Sequence, residues 1–486
     1  MIMVELVQKI IVAFFVLGGC IEAAWGLGQL YGVAMSNHAH FILTGSFYNP
    51  GPYSGFLAMI FPIAFYEWLY RRKEPKSIAG HVAWAAMLLI GCLIPCGMSR
   101  TAWLAVSVGA AYVVLMHESK RVAACWKRYR KRFIFLSGIA LIGLAIAASA
   151  AYGMKKDSAD GRLLMWKVAV RAVMERPLTG YGWNQVAGAY GQAQEDYFAS
   201  GQAIPSEEWV AGAPEYVFNE YLQMALAWGI PVLLLGLLVV AVAGYMGHRN
   251  KAYGLCGALL SLAVFAFASY PLQFPEFVVT GLLLVAACAT SGLNAWKKYA
   301  IGVWGLAVAG CAVYVCNYWE RRAATDRWEE VRSFYYMENY AEALEAYALL
   351  YESLVWNPRY LFEYGHALHK EGRYEESSGV MKEAMKHSSD AMILNILGKN
   401  CQALGQYEEA EEWYIRSTHR LPNRLYPYYL LAKLYAEPKF FHLEKCRETI
   451  EKVLQWNPKV PSEAIEEMKR EMETLKKESL KNAKKW

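Results

Sequence analysis

Runs of apolar residues without one Asp, Glu, Lys or Arg recur through the first two thirds of this chain. Each is close to the roughly 20 helical residues that cross a hydrocarbon layer about 30 Å thick. Residues 133–154, 221–247, 252–275, 277–296 and 299–319 are such runs, and 77–99 and 101–116 form two more, split only by Arg100. Residues 52–70 make a weaker candidate, interrupted at Glu67, and 6–29 the weakest, with Lys9 and Glu22 inside it. The last reads as a span rather than a signal peptide, because no small-residue cleavage site follows and further spans come after it. With 56% hydrophobic and 19% charged residues, this predicts an all-α, polytopic bundle of about nine spans.

Basic loops set its orientation, since short loops rich in Lys and Arg stay on the cytoplasmic side. Arg71, Arg72, Lys73 and Lys76 form one such loop. Lys120, Arg121, Lys127, Arg128, Arg130, Lys131 and Arg132 form the strongest, and 248–251 and 297–298 two more. The connections at 31–51, 96–100 and 271–276 carry little positive charge. The alternation is consistent with a cytoplasmic N-terminus, a long far-side loop at about 153–216, and a tail beyond Trp319 on that same far side. Most of the ten cysteines sit in or beside apolar spans, where they read as packing residues, and none has zinc spacing. Cys401 and Cys446 in the tail are a possible disulfide pair.

The tail, 320–486, changes character. Asn339-Tyr340-Ala341-Glu342-Ala343, Arg373-Tyr374-Glu375-Glu376-Ser377 and Gln406-Tyr407-Glu408-Glu409-Ala410 recur about 34 residues apart, the tetratricopeptide period. Asn357-Pro358, Leu421-Pro422 and Asn457-Pro458 are expected to end units, because proline does not continue a helix interior. Stacked helix pairs then make an α-solenoid with a concave surface, and the lysine-rich 476–486 a polar cap. Tyr347, Trp413, Tyr414, Tyr428 and Tyr429 read first as its core. Balanced charge argues against nucleic acid, and the lack of a G-x-x-x-x-G-K loop against an ATP-driven transporter. The domains are therefore 1–319 and 320–486.

Polar residues at the far-side ends of spans are the functional candidates, because a membrane interior penalises them. Arg100, in Gly97-Met98-Ser99-Arg100-Thr101-Ala102-Trp103, carries a donor fork suited to phosphate oxygens, or else snorkels to the interface. Arg162 opens a predicted amphipathic helix at 161–175, with Trp166, Ala169 and Val173 on its face; it ends at Arg176-Pro177-Leu178-Thr179-Gly180-Tyr181-Gly182-Trp183. Glu215, Asn219, Glu220, Tyr221 and Gln223 lead from the loop into the next span. A carboxylate there accepts a hydroxyl proton, or simply caps the helix start. Thr44-Gly45-Ser46-Phe47-Tyr48-Asn49-Pro50 fixes a compact re-entry into the membrane, preceded by His38 and His40.

Four stretches together resemble one family, the bacterial O-antigen ligase and polymerase superfamily: Gly45-Ser46-Phe47-Tyr48-Asn49-Pro50, Ser99-Arg100-Thr101-Ala102-Trp103-Leu104, Arg162 to Trp166 running into Pro177-Leu178-Thr179-Gly180-Tyr181-Gly182, and Asn219-Glu220-Tyr221-Leu222-Gln223 with Gly229 downstream. The resemblance covers roughly residues 25–290. It implies transfer of an undecaprenyl-diphosphate-linked glycan to an acceptor hydroxyl at the outer face of the bacterial inner membrane, without metal, nucleotide or other cofactor. It implies diphosphate binding by Arg100 and Arg162, substrate positioning by Tyr48, Asn49, Asn219 and Tyr221, and a base among Glu220, Glu215 or a loop histidine. The acceptor is a glycan, a lipid or a protein, with a protein partner on the repeats. One departure stands out: many members have histidine immediately before the Asn-x-Tyr-Leu stretch, and this chain has Phe218. The alternative is therefore a non-catalytic membrane scaffold that assembles envelope machinery through its repeats. The chain is also shorter ahead of the Gly-Ser-Phe loop than the family pattern.

Overall fold

The computed structural model describes residues 2–74, 76–132, 135, 153, 156–291 and 297–482, and every regular element among them is helical. The expected span at 133–154 falls almost wholly outside them. Five helical stretches are long and apolar enough to cross a membrane: Gln8–Leu30, Ile78–Cys96, Arg100–His117, Glu220–Arg249 and Tyr299–Tyr336. The chain is thus a multi-pass membrane protein.

The contacts divide it into two units. The first contains residues 1–153, 218–221 and 231–318. Its described helices are α1 (Ile2–Leu30), α2 (Pro50–Arg71), α3 (Ile78–Cys96) and α4 (Arg100–His117). The long span that the next loop feeds belongs to it except for residues 222–230, and two shorter apolar helices and the stretch 297–318 complete it. α2 packs on α3, on α4 and on the helix Tyr253–Ala266, which also lies along α4. That last pair approaches backbone to backbone: a Cβ on Gly109 would lie 2.7 Å from the Gly257 carbonyl oxygen, and one on Gly257 3.0 Å from that of Gly109. Ser261 reinforces it by donating to the Ala105 carbonyl at 2.9 Å. Small residues and a hydroxyl bond are what hold helices together where lipid is as apolar as leucine.

The second unit contains residues 154–217, 222–230 and 319–486, so the long loop folds with the repeats. Its loop helices are α5 (Lys156–Glu175), α6 (Val186–Ala199) and the short α7 (Pro205–Val210). α8 (Glu220–Arg249), α9 (Tyr253–Ala266), α10 (Pro275–Thr290) and α11 (Lys297–Tyr336) follow, with α11 running unbroken from its apolar half into the repeats. The repeats continue as α12 (Tyr340–Leu354), α13 (Pro358–Lys370), α14 (Tyr374–His387), α15 (Ala391–Ala403), α16 (Tyr407–Arg420), α17 (Tyr426–Tyr435) and α18 (Leu443–Leu454), capped by α19 (Glu463–Asn482). The cap begins well before the lysine-rich end.

Two of the helix pairs turn on a glycine. Gly372 and Gly405 turn with φ of +75° and +77° ahead of α14 and α16. Gly398 lets the Tyr414 ring lie where a Cβ would be 2.3 Å from it. Of the aromatics expected in the core, Tyr347, Tyr414 and Tyr429 are buried, while Trp413 and Tyr428 are half-buried. Asn357-Pro358 starts a unit rather than ending one: Asn357 accepts from the Arg359 and Tyr360 N–H groups and Pro358 takes the first helical position. Cys401 and Cys446 are buried free thiols, not a disulfide.

The loop is locked to the repeats by α6, which lies on α14 and α16, the second helices of two pairs. A Cβ on Gly188 would fall 2.1 Å from the Lys386 carbonyl oxygen, so only glycine allows this approach. Arg420, 0% exposed, donates to Glu195 Oε2 at 2.6 Å, and Arg416 to Oε1 at 2.6 Å. Gln194 donates to the Arg420 carbonyl, and Asn423 to those of Trp209 and Ala211.

Candidate functional site

The Gly-Ser-Phe loop is built around Gln29. Its Oε1 accepts from the Thr44 and Gly45 N–H groups at 2.8 and 2.7 Å, and its Nε2 donates to the Gly45 and Met35 carbonyls. Gly45 has φ +57°, and a Cβ there would meet Tyr53 and the Glu22 carboxylate, which accepts from Ser46 N–H. Glu22 therefore serves the loop. Asn49 caps α2, accepting from Gly51 N–H at 2.9 Å, while Tyr48 is exposed with its ring edge against His38. The loop meets the arginine motif directly: a Cβ on Gly97 would lie 1.8 Å from Ser54 Oγ and 3.2 Å from the Pro50 carbonyl oxygen.

Met98 then takes φ +51°, a conformation that costs a non-glycine residue, and Ser99 caps α4 by accepting from Ala102 N–H. Arg100 is thereby placed on the first turn of an 18-residue helix. Unpaired N–H groups and the helix dipole favour anions at that position. Arg100 lines an open cleft of about 600 Å³ with Thr101, Leu104, Tyr221, Ala263, Val264, Phe267 and Ala268. The cleft is a charged rim on an apolar trough.

The second strained residue is Phe218, also at φ +51°. Histidine and asparagine tolerate the left-handed region better than phenylalanine. Asn219 Oδ1 then accepts from Tyr221 N–H at 3.1 Å, starting α8, and the Tyr221 hydroxyl donates to the Ala263 carbonyl at 2.7 Å, which fixes its ring in the cleft wall. Glu220 is 2% exposed; Oε2 accepts from Leu272 N–H at 3.3 Å, and among the described residues Oε1 has no hydrogen-bond partner. It stands beside Tyr221 in sequence but is not among the cleft residues. A buried acceptor without a donor is costly, and a ligand hydroxyl would relieve it.

In the other unit, Arg162 is half-buried on α5. The buried face of α5 is Leu164, Val168, Ala169, Ala172 and Val173, turned toward α6 and α7. Trp166, expected on that face, is only half-buried. Lys167 ties α5 down, donating to Glu207 Oε1 at 2.7 Å and to the Tyr197 hydroxyl at 2.6 Å. Burial pushes the Glu207 carboxyl up, but hydrogen bonds from Lys167, Tyr197 and the Ile204 N–H outweigh it and hold the group below its usual range. Glu215 is exposed and paired with Arg359 at 3.0 Å.

The turn after α5 joins the fourth motif. Tyr181 N–H donates to the Leu226 carbonyl and Gly182 N–H to that of Ala227, both at 2.8 Å, and Ile230 N–H to that of Pro177 at 2.7 Å. Gly229, φ +82°, opens α8 for these bonds, and a Cβ on Gly180 would be 2.6 Å from the Ala227 backbone. Of the residues anticipated from sequence, Arg100 and Tyr221 meet in one cleft, while Tyr48, Asn49 and Glu220 do not line it. Thr101, Leu104, Val264 and Phe267 went unrecognised. Leu104, one turn after Arg100, was the legible one.

Residues 85–237 match the family model of the O-antigen ligase, and 333–357 that of a tetratricopeptide repeat. Over 80 residues the chain is 30% identical to the protein O-mannosyl-transferase TMTC2 of Mus musculus, a stretch that is 16% of this chain and 10% of that one.

Proposed function

We propose that this chain, which matches the O-antigen ligase model over 85–237 and a tetratricopeptide repeat over 333–357, transfers a glycan from undecaprenyl diphosphate to an acceptor hydroxyl. It does so at the outer face of a bacterial inner membrane, with its N-terminus cytoplasmic and its repeats outside. One observation carries the reading: within the segment matched to the ligase family, Arg100 sits on a helix N-terminus at the rim of an apolar cleft. A lipid diphosphate has that form, a doubly anionic head on a hydrocarbon chain.

As the bond between the anomeric carbon and the diphosphate oxygen breaks, charge grows on the diphosphate, and a fixed guanidinium stabilises the transition state more than the ground state. The acceptor oxygen bonds the anomeric carbon and its proton passes to a base. Glu220, with a free Oε1, is the proposed proton acceptor; Glu215 is held by Arg359 and takes no such role. Arg162, to which the resemblance also assigns diphosphate binding, lies in the other unit. The named transferase relative supports the class of reaction and nothing finer.

The test is glycan transfer in membranes. Arg100→Ala lowers kcat/KM by about 10²–10³, Arg100→Lys recovers only part of it because the donor fork is lost, and Glu220→Gln costs about 10²–10⁴. Arg162→Ala is measured separately. Phe218, where the family pattern has histidine, favours a second reading, a scaffold without catalysis; normal surface glycan in well-expressed Arg100→Ala and Glu220→Gln variants would establish it.

A further inference from the structure

The first helices of successive repeats, α13, α15 and α17, touch one another and form one layer, while α6 lies on the second helices. On α13, Phe362, His366 and His369 stand along one stripe with nearly parallel rings: Phe362 to His366 at 6.1 Å and 9°, His366 to His369 at 6.4 Å and 20°. The Tyr335 hydroxyl meets His366 Nδ1 at 2.8 Å. His369 Nδ1 lies 2.6 Å from Asn400 Oδ1, while Asn400 Nδ2 is spent on Ser377 and Ser378. An amide oxygen only accepts, so His369 carries its proton on Nδ1 and leaves Nε2 as an acceptor.

Lys370 and Lys399 crowd these imidazoles. The ion pairs nearby are Arg332 with Glu363 and Lys433 with Glu471; among the described residues neither Lys370 nor Lys399 has a carboxylate partner. Lys399 lies instead over the Tyr426 ring at 5.2 Å. One turn before it Asn395 is 2% exposed, and its Oδ1 has no hydrogen-bond partner. Its Nδ2 reaches only Met392 Sδ at 3.5 Å.

This face asks for three things at once: negative charge for two lysines, O–H or N–H donors for Asn395 Oδ1 and His369 Nε2, and flat apolar surface for Phe362 and Tyr426. An acidic peptide supplies charge, but its backbone donors alternate sides with each residue. A sugar chain carries hydroxyls on every ring, each both donor and acceptor, with apolar ring faces between them. We propose that the face formed by His366, His369, Lys370, Asn395 and Lys399 binds an anionic saccharide, one bearing carboxylates or phosphates. Its role, holding the acceptor or product chain of the transfer, rests on the reading above; the binding does not.

The surroundings of His366 and His369 hold both imidazoles in the neutral form. Burial, then Lys370, His369 and Lys399, push His366 down to about 4, and burial also lowers His369, with Lys399 and Lys370 adding to it against the Asn400 bond. The other titratable groups facing them are Tyr335, Tyr340 and Tyr374. Lys370 and Lys399, not the imidazoles, therefore carry the positive charge of the face from pH 8 to 6.

The experiment uses the full chain in detergent and fluorescence anisotropy with four labelled probes: an oligogalacturonate of about ten sugars, a phosphorylated oligomannose, neutral dextran and a glutamate decapeptide. At least one anionic saccharide binds tenfold or more tighter than dextran and the decapeptide, and the two anionic arms tell carboxylate from phosphate. Lys370→Met with Lys399→Met weakens it at least tenfold with unchanged thermal unfolding; both Lys→Arg changes keep it. Binding by neither saccharide, equal binding of dextran, preference for the decapeptide, or wild-type affinity in the folded double Met variant each overturns the proposal. Arg100→Ala is expected to leave this binding intact, so loss of transfer and loss of the saccharide face are told apart.

Discussion

Glu195→Ala probes how firmly the repeats hold the loop. Glu195 is 5% exposed and receives both Arg416 Nε and Arg420 Nη2 at 2.6 Å. Arg420 is 0% exposed, and its Nε and Nη1 have no hydrogen-bond partner. Burial, opposed by Glu195, holds its guanidinium below the usual range. Removing the carboxylate strands a desolvated cation, which costs about 3–5 kcal/mol, whereas replacing both members by apolar groups of similar volume is nearly neutral. Hydrogen exchange in the full chain reads this locally. Amides of 186–199 open about 10²–10⁴ times more often in Glu195→Ala, and Glu195→Leu with Arg420→Met restores most of the protection. A Glu195→Ala variant within about threefold of wild type, or a double variant no better than the single, would refute the buried clamp.

Two further predictions are smaller. His366 is held neutral in the fold, down to about 4 against an ordinary 6.5, so its contribution is present above about 6.5 and lost as pH falls toward 4. The full shift corresponds to roughly 3 kcal/mol; the half-buried ring reduces this to about 1–2. The unfolding free energy should drop by that amount between pH 7.5 and 5, and His366→Gln should flatten the slope. Gly180→Ala forces a side chain into φ +64° and against the Ala227 backbone, costing at least about 2 kcal/mol. Faster exchange at 222–230 is its signature, and an unchanged rate would contradict the turn-to-helix bonding.

Much of the architecture is written in local pattern. Charge-free runs marked the membrane helices, and the recurring Tyr340, Tyr374 and Tyr407 stretches marked the starts of α12, α14 and α16. The meeting of the turn at 177–182 with the segment 226–230 was foreshadowed by both being family-like stretches. What could not be read locally involves partners far apart in sequence. Glu195 meets Arg420 across 225 positions, and no periodicity announces that. Gly188 looked like any loop glycine until Lys386 lay on it. The buried face of α5 was misread at Trp166, because three apolar positions fit two neighbouring stripes of the same helix. In the cleft, Arg100 and Tyr221 were legible as polar residues at span ends. Glu220 looked surface-placed because burial depends on Leu272, which nothing near Glu220 encodes.

The central claim is that the Arg100 cleft holds a lipid diphosphate. Photocrosslinking the detergent-solubilised protein with a benzophenone-tagged polyprenyl diphosphate tests it most directly. The account predicts adducts on residues 101–104 and 263–268, competed by undecaprenyl diphosphate and lost in Arg100→Ala. Adducts that map elsewhere, or that persist undiminished without the Arg100 guanidinium, would contradict it.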